Sequence, residues 1–127
     1  RDWGHAKDYV LGMWKILQHP MATDFVLSTN ECHSVREFIE IAFKYKGFEL
    51  EWQGKGVDEK GFDKKTGACL IVVSEKYFRP TEVDVLLGDS SKAQLYLGWK
   101  TTTSFQELIE EMVDHDLKQL TSHINMG

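Results

Sequence analysis

Apolar residues near the start of the chain recur with the period of an α-helix. Between residues 6 and 17 they stand three or four positions apart, a pattern that predicts a helix with one buried stripe. We expect this helix to end at His19, because Pro20 disfavours helical geometry in the residue before it. The predicted stripe consists of Ala6, Tyr9, Val10, Met13, Trp14 and Leu17.

Two further helices are predicted from their capping residues as well as from their periodicity. Ser34 with Glu37, and Ser104 with Glu107, match the capping box, in which each side chain accepts a hydrogen bond from the other residue's backbone N–H. The helix that starts at Ser34 should end near Gly47, because glycine suits a left-handed C-terminal cap. Both segments therefore carry a start signal that is independent of their apolar pattern.

The remaining helical signals lie toward the end of the chain. A short helix is predicted over residues 92–97, with Asp89 as its N-terminal cap and Gly98 closing it. The last helix should run to about residue 120, and we expect a frayed tail over residues 121–127.

Three segments predict β-strands. Residues 24–29 have an apolar centre, residues 48–52 alternate apolar and polar side chains, and residues 69–73 are the most β-prone run. Residues 53–68 contain four glycines and no period, so we expect a flexible loop there. The predicted fold class is mixed α/β, with four helices and two or three short strands. Part of its apolar surface is expected to pack against a domain outside this chain, which we expect to be a piece of a longer protein.

Composition and charge narrow the function classes. The 127 residues suffice for one domain, and a net charge of −5 argues against binding a nucleic-acid backbone. No apolar run reaches the roughly 20 residues of a membrane span. The two cysteines, Cys32 and Cys69, indicate free, buried or half-buried thiols in a reducing cytoplasm rather than a disulfide framework. The histidines show no metal-ligand spacing with acidic residues, so no metal site is predicted.

The stretch "YFRPTEVD" carries one candidate binding motif. Pro80 fixes the backbone after Arg79, whose guanidinium fork suits the oxygens of a phosphate. Glu82 could accept hydrogen bonds from the two vicinal hydroxyls of a ribose. The alternative is a local ion pair between Arg79 and Glu82 on a solvated turn, which contributes at most about 1 kcal/mol.

The opening stretch "RDWGHAKDYV" carries a second one. Arg1 stands just before a predicted helix, so it could bind a phosphate with support from the positive potential of the helix N-terminus. His5 is more typical of a helix cap or a packed polar group than of a ligand or base. If both interpretations hold, the two stretches could together bind a nucleotide at its phosphates and its sugar.

The blocks "RDWGHAKDYV", "HSVREFIE", "YFRPTEVDVLLGD" and "SKAQLYLGWK" resemble the C-terminal part of GDP-mannose 4,6-dehydratases, which belong to the extended short-chain dehydrogenase/reductase superfamily. The resemblance runs in order from Arg1 to about Met112. It implies that this chain is the nucleotide-sugar-binding lobe of such an enzyme. By the family pattern, Arg1 and Arg79 face the pyrophosphate and Glu82 faces the ribose.

The resemblance also implies an activity for the intact enzyme. This is an NADP-dependent lyase that converts GDP-mannose to GDP-4-dehydro-6-deoxymannose, a step toward GDP-fucose. The Rossmann domain that binds NADP, and the catalytic residues, would lie upstream of Arg1, so no catalytic residue is predicted here and the segment alone should be inactive. The intact enzyme is expected to be a cytoplasmic homo-oligomer.

Two alternatives stay open at this point. The chain could be a non-catalytic binding or assembly module whose apolar stripes meet a partner subunit. It could also be the same lobe of an epimerase or dehydratase that acts on another nucleotide sugar. A thermal shift on adding GDP would distinguish the dehydratase lobe from an assembly module. Specificity for the base of the nucleotide would distinguish it from the lobe of a related enzyme.

Overall fold

A computed structural model of the chain describes residues 1–79 and 85–124. The chain divides into two compact units, the first formed by Arg1–Val35 with Val85–Gly127 and the second by Arg36–Asp84. Mixed helix and sheet content confirms the predicted fold class. The described residues form four α-helices and three β-strands: α1 Ala6–Gln18, α2 Val35–Tyr45, β1 Leu50–Gln53, β2 Lys60–Asp63, β3 Cys69–Val72, α3 Ser91–Leu97 and α4 Phe105–Ile124.

The second unit is built on a three-stranded antiparallel meander in the order β1-β2-β3. Leu50 pairs with Asp63 and Gln53 with Lys60, while the β2–β3 ladder shifts its register between Gly61 and Phe62. Helix α2 is tied to β1 through Trp52. The Trp52 indole donates to Glu40 at 2.8 Å, and the Arg36 guanidinium lies over the Trp52 ring at 4.6 Å from its centre.

The prediction of a loop over residues 53–68 is wrong in its middle. A 3₁₀ turn spans Gly56–Asp58, and β2 follows it as the central strand of the sheet. The strand escaped prediction because Phe62 is its one large apolar side chain. Gly61 is needed for space, since a Cβ there would lie 3.1 Å from both the Ile71 Cβ and the Trp52 ring.

The prediction of a buried strand over residues 24–29 is also wrong. These residues form no strand, and Val26 in their apolar centre is 54% exposed. The segment is held instead by a side chain, because the Asp2 carboxylate accepts a hydrogen bond from the Thr29 backbone N–H at 2.9 Å. The apolar centre of residues 24–29 was therefore not enough to predict that this segment pairs with a neighbouring strand.

Two cap signals predicted helix ends correctly, whereas the N-terminal cap of α3 is Ser90 and not the predicted Asp89. Gly47 is left-handed with φ +86°, and the Phe48 N–H reaches the Phe43 carbonyl at 3.0 Å beyond the end of α2. At the start of α4, the Ser104 N–H donates to Glu107 at 2.8 Å and the Glu107 N–H donates to the Ser104 hydroxyl at 3.2 Å. The expected frayed tail is wrong for residues 121–124, because α4 continues to Ile124.

Helix α1 buries a different face from the predicted one. Four of the six residues that were predicted to form its buried stripe are 57–81% exposed: Val10, Met13, Trp14 and Leu17. Asp8 and Gly12 are buried instead. A Cβ at Gly12 would lie 2.5 Å from Leu27 and 2.9 Å from the Trp99 indole nitrogen, so glycine allows the close packing of this face.

The core of the first unit closes around Trp99 and the buried carboxylate of Asp8. The apolar core residues of this unit are Ala93, Trp99, Phe105 and Ile109. The Trp99 indole donates to the Asp8 backbone carbonyl at 2.7 Å. The Asp8 carboxylate accepts from the Thr102 N–H at 3.0 Å, the Thr102 hydroxyl at 2.7 Å and the Thr103 N–H at 3.2 Å. Burial raises the pKa of the Asp8 carboxyl, but these hydrogen bonds outweigh burial and the net pKa lies below its ordinary value.

We predict that Asp8→Asn destabilises the chain by about 1.5–3 kcal/mol at neutral pH, because an amide cannot accept all three hydrogen bonds. The folded pKa of Asp8 is lower than the unfolded one. Its contribution is therefore present above the unfolded pKa and is lost as pH falls through the folded pKa. Urea unfolding at several pH values should show the difference between the two proteins shrinking below about pH 4.

The matched control is Asp116→Asn, which makes the same change at an exposed position on α4. It should shift the unfolding free energy by less than about 0.5 kcal/mol at neutral pH. An Asp8→Asn variant as stable as the parent would contradict the role given to this carboxylate.

Candidate functional site

The first unit contains a cleft of about 640 Å³, a volume within the range of small-ligand sites. Three chain segments and one residue of α1 form its walls. The lining residues are Arg1, Asp2, Trp3, Gly4, Tyr9, Val26, Leu27, Ser28, Leu86, Leu87 and Gly88. The lining therefore combines a guanidinium, a carboxylate and two hydroxyl groups with a larger apolar part.

The backbone of Arg1 is fixed by pairing with His33. The backbone nitrogen of Arg1 donates to the His33 carbonyl at 2.6 Å, and the His33 backbone N–H donates to the Arg1 carbonyl at 2.8 Å. Aromatic stacking supports this pairing. The rings of Trp3 and His33 both stack on Phe105, with centroid distances of 5.7 and 3.8 Å. The sequence prediction that Arg1 belongs to a site is consistent with its place in the cleft wall.

Asp2 joins the three segments of the cleft wall. One oxygen of its carboxylate accepts from the Thr29 N–H at 2.9 Å and from the Thr29 hydroxyl at 2.6 Å. The other accepts from the Gly88 N–H at 3.4 Å. Gly88 lies so close to Ser28 that a Cβ at position 88 would be 2.4 Å from the Ser28 Cβ.

The side-chain oxygen of Asn30 joins the segment that contains Ser28 to the segment that contains Ser90. It is the non-glycine residue with positive φ, +63°, among the described residues. Its side-chain oxygen accepts from the Ser28 hydroxyl at 3.1 Å, from the Ser90 N–H at 2.9 Å and from the Ser90 hydroxyl at 3.1 Å. Sequence reasoning missed Asp2 and Asn30, since the partners of both lie up to 86 residues away along the chain.

Of the three predicted site residues, Arg1 lines this cleft. Arg79 is exposed and belongs to the second unit. Glu82 lies outside the described residues. The grip formed jointly by Arg1, Arg79 and Glu82 therefore stays a prediction.

The interpretation of His5 as a helix cap is confirmed. Its Nδ1 accepts from the Lys7 N–H at 3.1 Å, and its Nε2 lies 3.2 Å from the Glu111 carboxylate. Cys32 and Cys69 are free thiols, both exposed rather than buried or half-buried. Among residues 1–79 and 85–124, no cluster of side chains suits a metal ion, and no helix has the length and apolar character to span a membrane.

Tyr96 and Lys100 have the Tyr-x-x-x-Lys spacing that places two side chains on one face of a helix. Helix α3 ends at Leu97, and Gly98 is left-handed with φ +58°. The two residues therefore do not share a helical face, and Tyr96 is 62% exposed. Neither residue is among those that line the cleft.

Comparison with known proteins identifies the family. The family model described as GDP-mannose 4,6 dehydratase matches residues 1–112. The chain is 51% identical over 120 residues to the GDP-mannose 4,6-dehydratase of Sinorhizobium fredii, and that alignment covers 94% of the chain and 34% of the relative. The chain belongs to the GDP-mannose 4,6-dehydratase family, which confirms the resemblance seen in the four sequence blocks.

Animal relatives give the same result. The chain is 51% identical over 118 residues to the GDP-mannose 4,6 dehydratase of Drosophila melanogaster, covering 93% of the chain and 30% of the relative. It is 49% identical over 125 residues to that of Homo sapiens, covering 98% of the chain and 34% of the relative. The chain thus spans about a third of the length of these curated relatives.

We predict that Gly88→Ala destabilises the first unit by about 1–3 kcal/mol, because the new methyl group would overlap the Ser28 Cβ. The double variant Gly88→Ala with Ser28→Gly should recover most of this loss relative to Ser28→Gly alone. Urea unfolding of the four proteins measures the coupling. Additive effects of the two substitutions would show that these segments are not in contact.

Proposed function

We propose that this chain binds the GDP portion of GDP-mannose as part of a GDP-mannose 4,6-dehydratase, which converts GDP-mannose to GDP-4-dehydro-6-deoxymannose. The single observation that supports it most is the ligand-sized cleft with Arg1 fixed in its wall. The names of the relatives supply the substrate. The reaction of the intact protein is part of the proposal.

The chemistry of the cleft suits a diphosphate. A guanidinium donates several N–H bonds in a planar fork, which matches the oxygens of a phosphate. The Asp2 carboxylate accepts three hydrogen bonds from Thr29 and Gly88, so its role is to join the wall segments. The apolar side chains Leu86, Leu87 and Val26 form part of the remaining lining.

Arg79 and Glu82 complete the proposed grip from the family pattern. Arg79 would bind the diphosphate with Arg1, and Glu82 would accept hydrogen bonds from the ribose hydroxyls. The exposure of Arg79 leaves its guanidinium accessible to an anion. These two assignments rest on the motif "RPTE" and the family membership.

NADP, the cofactor expected from the resemblance, does not fit the described residues of this chain. The strands form an antiparallel meander, and none of them leads through a glycine-rich turn into a helix that would hold a pyrophosphate. We assign NADP binding and hydride transfer to polypeptide outside these 127 residues, and we expect no dehydratase activity from this chain by itself.

An assembly module is the second candidate, and the exposed stripe of α1 favours it. Val10, Met13, Trp14 and Leu17 present a continuous helical face to the surroundings of the chain. This role is compatible with GDP binding, because none of these four residues lines the cleft. The homo-oligomer expected for the intact enzyme remains a prediction, and native mass of the chain is its direct measurement.

Replacing Arg1 by alanine should raise the dissociation constant for GDP about 10- to 150-fold. This corresponds to the roughly 1.5–3 kcal/mol of a hydrogen bond to a charged group. Calorimetric titration of the chain with GDP gives the measurement. Lys7→Ala is the matched control, since it removes an exposed cation of α1 that does not line the cleft. Equal losses in both variants would indicate a general charge effect and contradict a specific role for Arg1.

For the second motif we predict two separable effects. Arg79→Ala should weaken GDP binding by about 1.5–3 kcal/mol, whereas Lys76→Ala, three residues earlier, should leave it unchanged. Glu82→Gln should reduce the preference for GDP over 2′-deoxy-GDP, because the missing hydroxyl is one of the two that Glu82 would recognise. An unchanged preference in Glu82→Gln would remove the ribose assignment while leaving that of Arg79 intact.

A further inference from the structure

Tyr9 places a phenol in the cleft wall. It belongs to the first turns of α1, and its ring packs against Trp99 with a centroid distance of 5.9 Å and an interplanar angle of 55°. Trp99 is 1% exposed and is itself fixed by its hydrogen bond to the Asp8 carbonyl. The Tyr9 ring therefore packs against a buried side chain, and this contact with Trp99 fixes its position in the cleft wall.

Gly4 leaves the space that this phenol occupies. A Cβ at position 4 would lie 2.6 Å from the Tyr9 ring, 2.8 Å from the Tyr9 hydroxyl oxygen and 3.0 Å from the Thr29 methyl carbon. The φ angle of Gly4 is not positive, so its backbone conformation does not require glycine. The requirement is steric, and any larger residue would displace the phenol.

The Tyr9 hydroxyl has no hydrogen-bond partner among residues 1–79 and 85–124, although it lines the cleft. The other hydroxyl in the cleft lining, that of Ser28, already donates to the Asn30 side chain at 3.1 Å. Burial raises the pKa of the Tyr9 hydroxyl, and the charges of Asp2 and Asp8 raise it further. The group therefore keeps its proton and is available as a donor.

A diphosphate offers more acceptor oxygens than one guanidinium can satisfy, and among the described lining residues Arg1 is the single cationic side chain. The Tyr9 hydroxyl lies in the same cleft and could donate to a phosphoryl oxygen that Arg1 does not contact. A hydrogen bond from a hydroxyl to an anionic oxygen is short and strong. We propose that the Tyr9 hydroxyl donates a hydrogen bond to the diphosphate bound by Arg1, and that Gly4 makes this contact possible. The inference rests on the proposed function.

Calorimetric titration of the chain with GDP tests this contact through Tyr9→Phe, which removes the hydroxyl and keeps the ring on Trp99. We expect its dissociation constant for GDP to rise about 10-fold, with an unchanged unfolding temperature. The matched control is Tyr96→Phe, which makes the same change on an exposed tyrosine of α3 outside the cleft. Its affinity for GDP should equal that of the parent chain.

Gly4→Ala provides a second, independent variant, because the added methyl group displaces the phenol without removing its hydroxyl. It should weaken GDP binding to a similar degree. If Tyr9→Phe binds GDP as tightly as the parent chain while Arg1→Ala binds weakly, the Tyr9 contact is refuted and the proposed function stands. If the parent chain itself gives no binding heat with GDP, the proposed function fails and the Tyr9 contact fails with it.

Discussion

The buried carboxylate of Asp8 is the interaction on which the first unit depends. It lies on α1 and accepts three hydrogen bonds from Thr102 and Thr103, which belong to the connection between α3 and α4. The backbone carbonyl of the same residue accepts the indole N–H of Trp99, so one residue secures both the connection and the largest core side chain. A carboxylate buried among donors is stable because each oxygen is satisfied, and removing those donors would leave a charge without compensation.

The orientation of α1 imposed by Asp8 has two effects on opposite faces of the helix. On the inner side, Tyr9 reaches the cleft and Gly12 permits contact with Leu27. On the outer side, a full apolar stripe faces away from the core of its own unit. The same few hydrogen bonds thus set the geometry of the candidate ligand site and expose the surface that an assembly partner would cover. One helix therefore contributes both to the lining of the cleft and to the exposed apolar stripe.

Local signals in the sequence predicted what depends on neighbours along the chain. The capping box of Ser104 with Glu107 and the left-handed Gly47 marked helix ends correctly, because both contacts span only a few residues. Strand β2 was missed because Gly61 and the single apolar ring of Phe62 give no alternating pattern, and the face of α1 was misassigned because periodicity does not reveal which neighbour a helix meets. The motif pointed to Arg1, which lines the cleft, whereas Asp2 and Tyr9 contact residues far away in the sequence.

The division of the chain into units carries a consequence for the order in which they assemble. The second unit is continuous, and its meander joins strands that follow one another directly, so its contacts can form as soon as residue 72 is available. The first unit is interrupted, and the buried apolar residues among its described part, from Ala93 to Ile109, come from the later piece. During synthesis the early piece with α1 must therefore wait for residues 93–109 before the interior of its unit can form.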